Sequence, residues 1–287
     1  MSPRAARSFL AVVASGVVSF GLGVAGGCKP EVDSLAGDEH AGPDGSPRRG
    51  PALTESPPSN ALPELMVPRL RAEDALAVDG VIDEPAWRRA AKTGEFVDAQ
   101  TGMPARRGVG GSARLLWDDA ALYVAFTVRD DDVRGGFSTE AVDPHLWTRD
   151  TVELMIDPDG DGDGLDYHEI QVNPQNLVFD SRFDSYNQPR GGPDGPFGHE
   201  EWSSRVTSAV TIDGSLDDAL PDRGYQVEMR LPWSSLSGAK RAPPEPGDTW
   251  RLNLYAMQDN GGVSWSPILG QGNFHRASRF GRVHWSD

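Results

Sequence analysis

From Arg69 onward the chain is a series of short β-type runs separated by turn residues. The run Leu122–Val128 is rich in β-branched and aromatic residues, and His168–Val172 alternates along its length. Similar runs are Ala113–Trp117, Thr151–Ile156, Leu177–Phe179, Val206–Ile212, Tyr225–Leu231, Trp250–Met257 and Phe280–Trp285. Helical patterns are short, around Glu84–Ala91 and after Pro232. About nine strands at hairpin spacing predict an all-β sandwich or barrel and exclude an α/β sheet.

The N-terminal segment has the pattern of an export signal. Arg4 and Arg7 precede an apolar run over Phe9–Val24, and small residues lead to Cys28, the only cysteine, so no internal disulfide forms. This resembles the lipobox of bacterial lipoproteins, whose cysteine is diacylated, although Ala25 stands where such boxes usually carry Leu. We predict a signal peptide over residues 1–27 and a lipid on Cys28. Plain secretion is the alternative.

Residues 28–68 differ in composition from the rest of the chain. Segments such as Gly42–Pro47 and Ser56–Ser59 carry few apolar groups and show no period. Such a stretch buries too little surface to offset the entropy of ordering it. We predict a flexible linker over 28–68 and a single folded domain over 69–287. The protein is then exported and held at the bacterial cell envelope, at the outer membrane, by its lipid alone.

The formal net charge of −16 limits the partners of the chain. Nucleic acid and anionic membrane surfaces would repel it. An acidic chain suits neutral ligands and divalent cations, although solubility alone explains the charge equally well. We expect a monomer that contacts the membrane only through its lipid.

Acidic residues recur in the loop after Thr151–Ile156. They are Asp157, Asp159, Asp161, Asp163 and Asp166, with glycines between most of them. The glycines let the backbone curl so that several carboxylates meet one cation, and oxygen ligands of this kind suit Ca²⁺. The loop is not an EF-hand, because the twelfth residue from Asp157 is His168 and not Glu. The sequence predicts a calcium site or, as the alternative, a solvated Asp-Gly hairpin tip.

The eight tryptophans divide into core and loop candidates. We predict that Trp87, Trp117, Trp233 and Trp250 belong to the core. Trp147 differs, because a loop-like segment precedes it and polar residues follow it. A flat ring in a loop stacks on the apolar face of a sugar, whereas the alternative for Trp147 is a buried anchor.

No catalytic motif stands out in the sequence. It contains no nucleophile elbow, phosphate-binding loop, dinucleotide-binding glycine pattern or zinc-protease helix motif. Two carboxylates can hydrolyse a glycoside, but spacing alone selects no pair among 43 acidic residues. The sequence therefore indicates no enzymatic activity.

Several segments together resemble the family 9 carbohydrate-binding modules and their relatives in the DOMON-like group. The resemblance covers about Leu76 to Trp285. It includes Val78–Trp87, Leu116–Asp118, Leu122–Val124, Trp147–Glu153, Asp157–Asp161, Gln171–Pro174, Trp265–Pro267, Phe274–His275 and Arg279–Gly281. It implies a two-sheet antiparallel β-sandwich, of jelly-roll or immunoglobulin-like type, with structural calcium and a sugar clamped between two aromatic rings.

The resemblance also implies a set of site residues. Trp147 corresponds to the first ring of the clamp, and Phe274 stands where the second ring is usually Trp. Glu153 corresponds to a carboxylate that accepts hydrogen bonds from sugar hydroxyls, and Asn173 to another polar contact. Gln171 stands where sugar-binding members have Arg. The predicted sugar-binding set is Trp147, Asp150, Glu153, Gln171, Asn173, Gln271 and Phe274.

We therefore predict a non-catalytic binder of polysaccharide or oligosaccharide ends. An accessory role in glycoside hydrolysis is one alternative, because members are often joined to hydrolases, and a surface protein that has lost its ligand is another. A third is a haem-binding electron carrier, since DOMON-like relatives resemble haem domains with Met or His ligands. The candidate haem ligands are Met155, His145 and His168, although no spacing pairs them.

Overall fold

The computed structural model describes residues 60–258, 261–271 and 273–287. The strands are β1 (Glu64–Pro68), β2 (Ala91–Lys92), β3 (Val97–Asp98), β4 (Val109–Trp117), β5 (Ala121–Asp130), β6 (Thr151–Asp157), β7 (Tyr167–Val172), β8 (Val178–Phe183), β9 (Thr207–Asp213), β10 (Gly224–Pro232), β11 (Thr249–Gln258), β12 (Gly261–Ser264) and β13 (Gly281–Ser286). Short 3₁₀ turns span Pro85–Arg88, Leu146–Thr148, Trp233–Ser235 and Ala277–Arg279.

The strands form two sheets. The first sheet has the order β1-β13-β11-β6-β7-β8, with β12 beside β11 and β3 beside β12. The second sheet has the order β2-β4-β5-β10-β9. Every strand pair is antiparallel except β1 with β13, which is parallel. The prediction of an all-β, two-sheet sandwich is confirmed, and each predicted run overlaps one of these strands.

The predicted start of the folded part at residue 69 is too late. Residues 64–68 form β1, which pairs in parallel with β13, so that Val67 lies opposite Trp285. Val67 is fully buried and contributes to the core. The local sequence gives little indication of this strand, because the strand is defined by pairing with β13 at the other end of the chain.

Tryptophan rings form the centre of the core between the sheets. The Trp285 ring packs edge-on against the rings of Trp117, Trp233 and Trp250, with centroids 5.5 to 5.8 Å apart. Edge-to-face packing matches the positive edge of one ring with the negative face of the next. The core prediction is confirmed for Trp117, Trp233, Trp250 and Trp87, each at most 3% exposed.

Trp87 belongs to an anchor that attaches the N-terminal loop to the second sheet. Its indole N–H donates to the buried carboxylate of Glu228 at 2.7 Å. The backbone N–H groups of Asp79 and Gly80 donate to the same carboxylate. At Gly80, where φ is +87°, a Cβ would approach the backbone of Val210 to 2.9 Å. Glu228 therefore attaches the segment from Asp79 to Trp87 to the second sheet.

The strands β6 and β7 are buried on both faces. Val152 and Leu154 belong to the core between the sheets, so alternation places Glu153 and Met155 on the opposite, outer face of the first sheet. Glu153 and Met155 are nevertheless only 2% and 1% exposed. Among the described residues, loops that follow β5, β8 and β12 cover this outer face, and they create the candidate site.

Candidate functional site

A cavity of about 330 Å³ lies on the outer face of the first sheet, and we call it the outer-face cavity. Strands β6, β7, β8 and β11 supply its floor, made of Glu153, Met155, Glu169, Phe179, Phe183 and Met257. Loops supply its walls, made of Trp147, Tyr186, Asn187, Arg190, Phe197, Phe274 and His275. Its volume is at the lower end of the range of about 300–1,000 Å³ typical of ligand pockets.

Trp147 forms one wall of the cavity. It belongs to the 3₁₀ turn Leu146–Thr148, which the fully buried Leu146 fixes to the domain. The imidazole of His145 stacks on the indole with centroids 4.4 Å apart, and Phe179 contacts it edge-on at 5.1 Å. Phe197 packs against the indole at 5.8 Å. Trp147 is half-buried, and its neighbours hold its ring in one orientation at the cavity.

Phe274 lies on a different loop, which follows β12. Its ring meets that of Tyr255 on β11 edge-on, with centroids 5.7 Å apart. The Tyr255 hydroxyl donates to the backbone carbonyl of Phe274 at 2.8 Å, so the strand also fixes the loop backbone. The structure therefore brings Trp147, Phe274 and Glu153 to one cavity from three separate segments.

The cavity floor contains two buried carboxyl groups. Among the described residues, no group donates a hydrogen bond to the Glu153 carboxylate, and burial together with the neighbouring Glu169 raises its pKa well above the ordinary value. Glu169 accepts a hydrogen bond from the Gln171 amide, and burial raises the pKa of Glu169 to about 7. A buried carboxylate without a cation favours its protonated form.

His275 closes one side of the cavity as a neutral group. Its Nδ1 lies 2.8 Å from the Tyr167 hydroxyl, and its Nε2 lies 3.7 Å from Glu169. The imidazole also meets the rings of Phe183 and Tyr186 edge-on at 5.0 and 5.4 Å. Burial lowers the pKa of His275 to about 4, so the ring carries no charge at neutral pH.

The other predicted sugar contacts lie away from the cavity lining. Gln171 is fully buried beside Glu169, and Asp150 accepts a hydrogen bond from the backbone N–H of Arg134. The Asn173 side chain accepts from the backbone N–H groups of Gln175 and Leu177, so it closes its own turn. Gln271 is exposed. None of these four residues lines the cavity.

Several lining residues have no counterpart in the sequence prediction. Glu169 was detectable, because it alternates with Gln171 on the same strand face. The residues from the loop after β8, among them Tyr186, Arg190 and Phe197, had no such signal. That loop reaches the outer face through non-local contacts, which a local pattern does not encode.

The acidic loop after β6 converges only in part. One carboxylate oxygen each from Asp157, Asp159 and Asp161 lies within 4.8 Å of the others. Asp163 lies outside this group, and the Asp166 carboxylate lies 3.7 Å from the Arg182 guanidinium.

The backbone of this loop curls around Asp157. Its carboxylate accepts from the backbone N–H groups of Gly160 and Gly162, at 3.2 and 2.9 Å. Both glycines have φ above +70°, a conformation that other residues rarely adopt. Burial and the adjacent Asp159 raise the pKa of Asp157 to about 7. Three crowded oxygen ligands in a curled loop fit the chemistry of Ca²⁺, which prefers carboxylate and carbonyl oxygens.

The candidate haem ligands divide between two surfaces: His145 stacks on Trp147, on the same side of the first sheet as Met155, whereas His168 lies on the other side. His168 lies directly opposite the core residue Ile156, which places its ring inside the sandwich, 4.8 Å from the Trp202 ring. Met155 is on the outer face of the first sheet. Burial lowers the pKa of His168 to about 3. Alternation along β6 and β7 therefore separates these two side chains by the thickness of the sheet.

Within residues 60–258, 261–271 and 273–287, no helix is long and apolar enough to cross a membrane. The predicted signal peptide, Cys28 and the linker up to residue 59 lie outside the residues that the structure describes.

Fold and site together define a class of protein, a two-sheet β-sandwich with an aromatic-lined cavity on the outer face of one sheet. The family model described as carbohydrate family 9 binding domain-like matches residues 78–287. The chain belongs to this family.

Known proteins share this domain at low identity. Exoglucanase XynX of Acetivibrio thermocellus is 24% identical over 204 residues, which are 68% of this chain but only 16% of the exoglucanase. A solved structure from Bacteroides uniformis has a TM-score of 0.60 at 19% identity and covers 78% of this chain and 100% of that chain. A family 9 carbohydrate binding module of Caldicellulosiruptor kristjanssonii, in complex with cellotriose, has a TM-score of 0.50 at 20% identity. The match covers 78% of this chain and 93% of that chain. These structural likenesses show the fold.

Proposed function

We propose that this protein holds the end of a polysaccharide or oligosaccharide in the outer-face cavity and catalyses no reaction itself. One observation carries the proposal. Trp147 and Phe274 line the same cavity as Glu153, whose buried carboxylate accepts no hydrogen bond from the described residues. Aromatic faces bind the C–H side of a sugar ring, and a fixed carboxylate accepts hydrogen bonds from hydroxyls.

The relatives suggest the first ligands to test. The similar module from Caldicellulosiruptor kristjanssonii was solved with cellotriose, and the curated relative is named an exoglucanase. Because the chain spans 16% of that relative, the hydrolytic activity of the whole enzyme does not follow from the likeness. We propose that this protein supports carbohydrate breakdown by capturing chain ends for separate enzymes.

A calcium ion held by Asp157, Asp159 and Asp161 is part of the proposal. The ion would neutralise three crowded carboxylates and hold the loop after β6 in its curled form. We further propose that the lipid on Cys28 attaches the protein to the bacterial cell envelope. Capture of sugar ends at that surface then needs no membrane contact by the folded domain.

The test is calorimetric titration of the protein with cello-oligosaccharides and xylo-oligosaccharides. Trp147→Ala should abolish measurable binding, because stacking contributes about 1–3 kcal/mol. Trp202→Ala is the matched control, since Trp202 is also half-buried but lies outside the cavity. Its binding should equal that of the wild type. If Trp147→Ala binds as the wild type does, or no oligosaccharide binds the wild type, the proposed function is wrong.

A further inference from the structure

Two carboxyl groups lie at the floor of the outer-face cavity, and no described residue is a cationic partner for them. Glu153 and Glu169 are 2% and 4% exposed. Among the described residues, no Lys or Arg forms an ion pair with either of them, and the Glu153 carboxylate accepts no hydrogen bond. Buried charges in proteins are ordinarily paired, because removing an unpaired charge from water is costly. The cavity floor therefore holds two buried carboxyl groups for which the described residues supply no cationic partner.

The other charged and titratable groups at the cavity do not supply the missing cation. His275 is neutral, and Tyr186 and Tyr167 are phenols. Arg190 lines the cavity, but its guanidinium donates to the backbone carbonyls of Gly192 and Pro193 within its own loop. It also lies over the Phe197 ring, 5.1 Å from the centroid. Arg190 is thus held by its loop, away from the floor.

Aromatic rings surround these two carboxylates. Trp147, Phe179, Phe183, Tyr186, Phe197 and Phe274 line the same cavity. The face of an aromatic ring carries partial negative charge and attracts cations, most strongly where water is excluded. Two rings are enough to clamp a neutral sugar. A cavity with six rings and two buried acids is instead suited to an organic cation.

This inference rests on the proposed function and specifies its ligand. We propose that the sugar bound in the outer-face cavity is an amino sugar with a free, protonated amine. Its ammonium group lies between the carboxylates of Glu153 and Glu169, and its ring lies against the aromatic walls. Inside the cavity, where the local dielectric is low, an ammonium–carboxylate contact is far stronger than in water. An ammonium group between them would lower the raised pKa values of both carboxyl groups and favour their charged forms.

Three matched trisaccharides test this inference in the wild-type protein. A glucosamine trimer, cellotriose and the N-acetylglucosamine trimer share a β-1,4-linked glucose-type backbone and differ at C2, which carries ammonium, hydroxyl or acetamide. Titration at about pH 6 keeps such amines protonated, since α-amino groups titrate at about 7.7–8.0. We expect the glucosamine trimer to bind roughly tenfold or more tightly than either neutral trimer.

The outcomes separate this inference from the proposed function. If cellotriose binds as tightly as the glucosamine trimer or more tightly, the inference is wrong while the proposed function stands. If no trimer or longer oligosaccharide binds, both are wrong. A preference for the charged trimer supports both.

Charge-removing variants then test whether Glu153 and Glu169 cause the preference for the charged trimer. Glu153→Gln and Glu169→Gln should each reduce the advantage of the glucosamine trimer over cellotriose roughly tenfold, with a smaller change for cellotriose itself. Asp180→Asn is the matched control, because Asp180 is a buried carboxylate on β8 that is bound to Ser204 and lies outside the cavity. Its preference should remain that of the wild type. An equal loss in all three variants would overturn the assignment to the two cavity acids.

Discussion

The Gln171 amide donates its hydrogen bond to Glu169 and not to Glu153, the residue that Gln171 directly faces across β6 and β7. All three side chains are on the outer face of the first sheet. The amide therefore orients the Glu169 carboxylate and makes no hydrogen bond to that of Glu153. Both acids line the cavity, but among the described residues only Glu169 accepts a side-chain hydrogen bond.

The size of the second ring of the clamp should control affinity. Phe274 lines the cavity opposite the strands that hold Glu153, and its ring is smaller than an indole. Phe274→Trp enlarges the stacking face, so we expect tighter sugar binding by about tenfold or less. Calorimetric titration with the best ligand checks this. Weaker binding with an unchanged melting temperature would show that the Phe274 ring lines the cavity without stacking on the sugar.

The stability of the domain should fall as the pH rises through the range of the buried acids. Burial raises the pKa of Glu169 from 4.5 to about 7, so between these values the native protein holds a proton that the unfolded chain has lost. Stability then decreases with rising pH in this window. Glu169→Gln removes this contribution. The loss of unfolding free energy between about pH 4.5 and pH 7.5 should then be smaller in the variant, by a difference on the order of 1–3 kcal/mol. Urea unfolding of both proteins at the two pH values, with chelator present, measures it. Parallel pH profiles would contradict the assignment.

Calcium should stabilise the domain through the three converging aspartates. At free calcium about a hundredfold above its dissociation constant, the gain is roughly 2.7 kcal/mol, or several degrees in melting temperature. Asp159→Asn should reduce this shift, whereas Asp163→Asn should preserve it, because Asp163 lies outside the converging group. Thermal unfolding in chelator and in millimolar calcium compares the three proteins. A melting temperature that does not respond to calcium would refute the site.

Membrane attachment should depend on one thiol. Cys28 is the only cysteine and follows small residues. Cys28→Ser should therefore release the protein from the membrane fraction and block normal processing. Fractionation of cells that express each protein, with metabolic labelling by a fatty acid, makes the comparison. A serine variant that is processed and sediments with membranes as before would exclude lipid anchoring.

The strands were predictable because each long strand carries its own pattern of apolar and β-branched residues. The very short strands β2 and β3 were not, because two residues hold no period and pairing alone defines them. The sequence analysis assigned β1 to the linker, because β1 is defined by pairing with β13, which lies more than two hundred residues away.

Family position predicted only part of the site. Trp147, Glu153 and Phe274 line the cavity, whereas the Asn173 side chain turns back to its own backbone. A strand position does not tell whether an amide binds a ligand or closes a turn, because both satisfy the same polar group. The loop after β8, which carries Arg190 and Phe197, covers the site through tertiary contacts.

The parallel strand β1 also determines how the domain would carry mechanical load. In the first sheet β1 is at one edge and β8 at the other, with the cavity above the strands from β11 to β8. Tension between residue 60 and a captured polymer would cross the sheet and act first on the five residue pairs that join β1 to β13. Detachment of β1 would expose the Trp285 edge of the core while leaving the strands beneath the ligand paired.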